Sequence, residues 1–241
     1  MYTTIVTQPL YNAIMFIVNF LPNHDLWIAL VIVTVLFKLI LIPAFKKQVR
    51  DQIIMQHLAP KMKKMQEKLK DKREELAKET LAMYKKYKVN PFVSIFLLLI
   101  QLPFLIGLYQ IFYYDISTYS NLLYSGVSVP ENINKLFFGF DLGVRSIFLA
   151  VLAGASQYVL GMYMFKKKTA EEEKQETEFM RAMNMQMKYF LPGVIAVVCA
   201  ITPSVISLYI IVTNIFGIGQ EIVIKAPLEK QIKNDLLSET N

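Results

Sequence analysis

Lys38 is the one charged side chain in an apolar run from Leu26 to Phe45. It lies eight positions before Lys46, about 12 Å of helix into the run. Insertion scales put a lysine at mid-membrane at about 2.5–3.5 kcal/mol. Two readings are open. The long aliphatic stem lets the ammonium snorkel to the nearer interface. Alternatively, the ammonium faces a water-filled groove, with Thr34 one turn earlier on the same face. Other apolar runs carry polar groups too. Gln101 and Gln157 interrupt two of them, and Ser204, Ser207 and Asn214 are spaced by three and seven in a third, with Tyr209 between them. A buried amide needs hydrogen-bond partners, so Gln101, Gln157 and Asn214 are candidates to line a wet path. The small residues Ala150, Gly154 and Gly161, on the Gln157 face, read as a helix-packing seam. Together these groups could attract an anionic group and replace water around a polar one. They do not make or break bonds.

Bond-making chemistry has little to stand on. The single cysteine, Cys199, excludes an intramolecular disulfide and reads as a small buried hydrophobe. His24 and His57 are far apart, with no Cys or carboxylate cluster beside them, which argues against a zinc site. Phosphate-binding, dinucleotide-binding, nucleophile-elbow and metalloprotease motifs are all absent. No enzyme, cofactor or metal is expected. None of the apolar runs holds a deep carboxylate to partner Lys38, which argues against a proton relay or an ion-coupled transporter.

The elements that must position these residues follow from composition. Of 241 residues 54% are apolar, above the roughly 45–50% of a soluble domain. Charges are only 19%, and mean hydropathy is +0.38. The expected class is an all-α membrane protein with five transmembrane helices at 26–45, 91–114, 146–165, 188–203 and 204–224. The final apolar stretch, 189–218, would form a helix of about 45 Å, longer than a hydrocarbon core of about 30 Å. Thr202-Pro203-Ser204 is therefore read as a tight turn between two spans, its hydroxyls satisfying the backbone groups that proline frees. Residues 8–21, inside the extracytosolic N-terminus 1–25, are read as an interfacial helix; a sixth span is the alternative.

Basic residues fix the orientation. Residues 44–90 hold 14 Lys and Arg against 6 Asp and Glu. The loop 166–187 and the tail 225–241 are also basic-bearing, whereas 1–25 has no Lys or Arg and the loop 115–145 has only Lys135 and Arg145. The N-terminus is expected outside and the C-terminus in the cytosol. The stretch 46–90 is read as an antiparallel cytosolic hairpin, with heptad-like seams at Leu58, Met62, Met65 and Leu69 and at Leu76, Thr80, Met83 and Tyr87. Its charge fits either anionic lipid head groups or a negatively charged partner such as ribosomal RNA. No direct DNA binding is expected.

The order and spacing of several motifs resemble one family. They are Lys38-Leu-Ile-Leu-Ile-Pro43, the basic hairpin, Tyr84-Lys-Lys-Tyr-Lys-Val-Asn-Pro91, Leu99-Ile-Gln-Leu-Pro103, and Pro203-Ser204 through Leu208-Tyr209 to Asn214. Across about residues 8–225 the chain resembles the YidC-type membrane protein insertases, relatives of the mitochondrial and chloroplast insertases. The resemblance implies a five-helix core around a hydrophilic groove open to the cytosol. It implies newly made membrane proteins as substrates and, through 46–90, the ribosome and the Sec translocon as partners. It makes Lys38 the basic residue that contacts incoming chains, where bacterial members usually carry arginine. The charge is kept and the two-pronged guanidinium is lost. Thr34, Gln101, Gln157, Ser204, Ser207, Tyr209 and Asn214 would line the groove. A bacterial plasma membrane is the expected location. A solute transporter or channel, and a membrane-anchored scaffold, are the rival functions.

Overall fold

The computed structural model describes residues 2–70, 72–90, 92–113, 116–164, 181–182 and 185–238. Most of the expected loop 166–187 lies outside the described residues. The described chain is almost wholly helical, as expected, with elements α1 (Gln8–Phe20), α2 (Leu26–Ile40), α3 (Ile42–Lys68), α4 (Arg73–Lys86), α5 (Val93–Tyr113), α6 (Ile147–Met164), α7 (Leu191–Ile201), α8 (Ser204–Gln220) and α9 (Ala226–Ser238). A two-stranded hairpin, β1 (Leu136–Phe137) and β2 (Phe140–Asp141), precedes α6. By length and composition α6 and the continuous helix Ser204–Ile232 can cross a membrane. The pair α2–α3, bent by 55°, makes a third if it forms one span. The apolar stretches Leu99–Tyr113 and Gln186–Ile201 are shorter.

The main core joins α1, α2, α5, α6, α7 and α8. In α2 the buried positions are Leu26, Ala29, Leu30, Val33 and Thr34, the stripe of a helix packed on one side. Its outer face, Ile32, Leu36, Leu39 and Ile40, is equally apolar and exposed. A helix apolar on every side suits lipid rather than water.

Helices α6 and α7 pack through small residues. A Cβ on Gly154 would lie 2.8 Å from the Ala196 Cβ and 3.2 Å from the Pro192 carbonyl oxygen, and one on Gly161 would meet the Lys188 backbone at 3.5 Å. Gly154→Val is therefore expected to force the two helices apart, at a cost of about 1–3 kcal/mol. Thermal unfolding in detergent would register it as a clear fall in midpoint. An unchanged midpoint would mean that the two helices are not held this closely.

Between α7 and α8 lie only Thr202 and Pro203. The Thr202 hydroxyl donates to the Val198 carbonyl at 2.9 Å, and both the amide and the hydroxyl of Ser204 donate to the Val144 carbonyl. The side-chain bonds supply partners at a turn where proline has no N–H.

Three elements make contacts beyond those expected. The N-terminal helix packs against the helical core. It runs alongside α5 in the same direction: Tyr2 donates to the Pro103 carbonyl at 2.6 Å, and the Thr7 hydroxyl to Gln110 Oε1 at 3.0 Å. Gly107 permits the approach, since a Cβ there would sit 3.1 Å from Leu10. Tyr11, Ile14, Met15 and Val18 are fully buried, and of its large apolar side chains Ile5, Phe16 and Phe20 are exposed.

In the hairpin, α3 buries Val49, Ile53, Ile54, Leu58, Ala59 and Met62, but no residue of α4 is buried. The expected seam Leu76, Thr80, Met83 and Tyr87 is half-buried while most of α4 around it is exposed, and the Thr80 hydroxyl turns back to the Leu76 carbonyl. The hairpin's core lies at its base, where Val49 to Leu58 meet Val89, Met83, Tyr84 and Tyr87. There the buried Asp51 carboxylate accepts the Asn90 amide at 3.1 Å, fixing where α4 hands over to α5.

Residues 225–241 were expected as a short tail. Instead the last span continues through a π-helical turn, Glu221–Lys225, into α9. Ile232 and Leu228 of α9 close the hairpin's core. Lys225 bonds Glu221 at 2.8 Å and the Met164 carbonyl at 3.0 Å, so the far end of the span is tied to the end of α6.

Candidate functional site

Lys38 stands in the last turn of α2, just before the chain bends by 55° into α3. Its ammonium donates to Gln101 Oε1 on α5 at 2.9 Å. Gln101 Nε2 donates in turn to the Tyr209 hydroxyl on α8. The amide thus uses both ends, linking three helices in one polar chain. Among the described residues no carboxylate pairs with Lys38. The lysine and the glutamine are half-buried, and Tyr209 is fully buried.

An aromatic ladder runs beside this chain. Phe37 stacks on Phe104 with centroids 4.6 Å apart, and Phe104 on Tyr209 at 5.2 Å. Tyr209 belongs to both sets. The arrangement offers a polar side and an apolar side at one depth.

The remaining expected residues divide. Thr34 and Ser207 are buried on α2 and α8, and the Thr34 hydroxyl lacks a hydrogen-bond partner. Ser207 lies beside the Cys199 thiol. Asn214 reaches α6, but its partner there is the Ser156 hydroxyl at 2.9 Å, not Gln157, which is half-buried. Ser204 is the exception, since its hydroxyl is spent on the turn at Val144. No group of His, Cys, Asp and Glu that could hold a metal occurs among the described residues.

Comparison with known proteins bears directly on this arrangement. The profile of the 60Kd inner membrane protein family matches residues 16–231, which include every residue of the polar chain. The chain belongs to the YidC family of 60Kd inner membrane proteins. It is similar to the membrane protein insertase YidC of Clostridium tetani, at 31% identity over 214 residues, covering 88% of this chain and 87% of that one. It is also similar to the membrane protein insertase MisCA of Bacillus subtilis, at 30% identity over 229 residues, covering 92% and 78%. The YidC insertase of Clostridium perfringens is 30% identical over 210 residues, covering 86% and 81%. Like its YidC relatives, this is a membrane-integral protein.

Four features of this YidC-family chain escaped the sequence reading. Phe37 and Phe104 are hidden in apolar runs, although Phe104 stands three residues after Gln101 and so on the same helical face. Ser156 was masked by the amide next to it. The ion pair Glu221–Lys225 has the i,i+4 spacing that would have flagged it.

Proposed function

We propose that this chain is a membrane protein insertase working through a hydrophilic groove, without ATP. In this reading α2, α5, α6, α7 and α8 are five spans of a bacterial plasma membrane. The N-terminus is outside, and the hairpin α3–α4 and α9 are in the cytosol. The asymmetry of basic charge supports that orientation.

The observation that carries the reading is the hydrogen-bonded chain from Lys38 through Gln101 to Tyr209. A lysine held by a neutral amide keeps its field available for an incoming anionic group. Thr34, Ser207, Gln157 and the Asn214–Ser156 pair extend the polar lining. A short polar tail would leave the cytosol along these groups. Bare hydrocarbon would cost several kcal/mol for each unsatisfied backbone group. The attached apolar segment would pass the ladder Phe37–Phe104–Tyr209 and move into lipid along the exposed face of α6 and past Ile215 of α8. Burial of apolar surface drives that transfer, so no nucleotide is required. Newly made membrane proteins are the clients. The basic hairpin would meet anionic lipid and receive chains from the ribosome or the Sec translocon.

The test is insertion of a single-span substrate into sealed proteoliposomes holding the purified chain, with no nucleotide present. Protease-protected product well above that of empty vesicles is expected, with an entrapped small solute retained. Insertion that appears only after ATP is added would end the nucleotide-free part. Rapid loss of the solute would favour a channel.

A further inference from the structure

The loop before α6 ends in a tight aromatic hairpin. Leu136 pairs with Asp141 and Phe137 with Phe140, leaving Phe138-Gly139 as the two-residue turn. Both turn residues have positive φ, 48° at Phe138 and 87° at Gly139. Glycine adopts that region freely, and asparagine tolerates it, but a bulky side chain rarely does. Phe138 is also 83% exposed. A large apolar ring is thus held outward at a position whose backbone geometry disfavours it.

Its surroundings share one level of the molecule. The hairpin lies across the starts of two helices: Phe137 and Phe138 touch Trp27, in the first turn of α2, and Phe140 stacks on Phe148, in the first turn of α6, at 5.4 Å. Val144, Ile147 and Phe148 are exposed beside it. The Asn134 carbonyl accepts the Leu26 amide, and the Leu142 carbonyl accepts the Val205 amide. The hairpin is therefore fixed to the outer ends of α2, α6 and α8 together. Arg145, exposed next to the patch, supplies a positive charge where lipid phosphates would lie.

We infer that the tip Phe137–Phe140, with Trp27 and Phe148, is an anchor that sits in the interfacial layer of the outer leaflet. The occupant is lipid, because the patch continues the exposed apolar faces of α2 and α6 and ends in aromatic rings, the residues that settle at membrane–water boundaries. This rests on reading α6 as a membrane span.

The test uses the full chain in vesicles of phosphatidylcholine and phosphatidylglycerol, with acyl chains brominated either near the head group or deep. Trp27 is the only tryptophan, so Trp27→Phe with Phe138→Trp leaves one reporter at the tip. Shallow bromines are expected to quench it about twofold, with deep bromines and aqueous iodide doing little, as for a side chain at the interface. Strong iodide quenching with no response to brominated lipid overturns the anchor. A reporter at Val151, exposed on α6, separates the two readings in the same Trp27→Phe background. If Val151→Trp is quenched by bromolipid and the tip is not, the anchor alone fails; if neither is quenched, the span reading fails with it. The unmodified chain gives a reading free of any folding defect. Trp27 touches the Phe138 ring, so strong iodide quenching of Trp27 in vesicles also overturns the proposal.

Discussion

Lys38→Leu is expected to cut insertion of substrates with acidic tails by about thirtyfold while changing purely apolar substrates little. A carboxylate about 8 Å from the ammonium, at an effective dielectric of about 20, is attracted by about 2 kcal/mol, which is about a thirtyfold change in rate or occupancy. Leucine removes that attraction and also leaves Gln101 Oε1 without its donor. Lys38→Arg keeps the charge and adds donors, so it is expected to retain most activity. Protease-protected insertion of matched substrates, differing only in tail charge, gives the measurement. Equal loss for both substrate classes would sink the electrostatic role and leave Lys38 a structural residue. Equal activity of all three proteins would make it a snorkelling lysine.

The second large effect concerns stability. Glu221 and Lys225 bond at 2.8 Å with side chains only 4% and 11% exposed. Removing one member of a buried pair strands the other charge, at a cost of about 3–5 kcal/mol. Glu221→Ala and Lys225→Met should each lower the unfolding midpoint in detergent sharply. The double variant Glu221→Leu with Lys225→Met should recover much of that loss, because a buried pair replaced by apolar side chains is often neutral. A double variant whose loss equals the sum of the singles would mean that the two charges do not interact. The hairpin adds a second readout. α9 begins directly after Lys225, so loosening this turn should raise protease cleavage within α3 and α4.

The difference between what the sequence disclosed and what it hid has a physical pattern. Lys38 and Gln101 were legible because a polar group in an apolar run is expensive and therefore conspicuous. That they meet each other, and that Tyr209 completes the chain, depends on how three distant helices pack, which periodicity does not carry. Asn214 was legible as a polar residue in need of a partner, but that Ser156 supplies it depends on how α6 and α8 pack. Ser204 carried two readings, a turn hydroxyl and a groove residue, and its hydroxyl is used at the turn, on the Val144 carbonyl. Along α4 the period correctly picked the half-buried face, Leu76, Thr80, Met83 and Tyr87, but not that only its last turns meet a core. In α9 the reverse held. Leu228 and Ile232, four apart, are a thin signal among charges, yet they complete a core supplied by α3.

The bend between α2 and α3 gives the molecule a lever. Beyond Leu41, α3 runs through 27 residues with Pro60 inside it, an arm of up to about 40 Å. Its pivot is three residues from Lys38, and Ile232 and Leu228 share a core with Val49 to Leu58 of the arm, like a fulcrum. A rotation of about 10° at the bend would sweep the free end of an arm this long through about 7 Å. Mechanical advantage runs both ways. A force at the tip of the hairpin would exert leverage on the turn that carries Lys38, and a displacement beside Lys38 would be amplified at the tip.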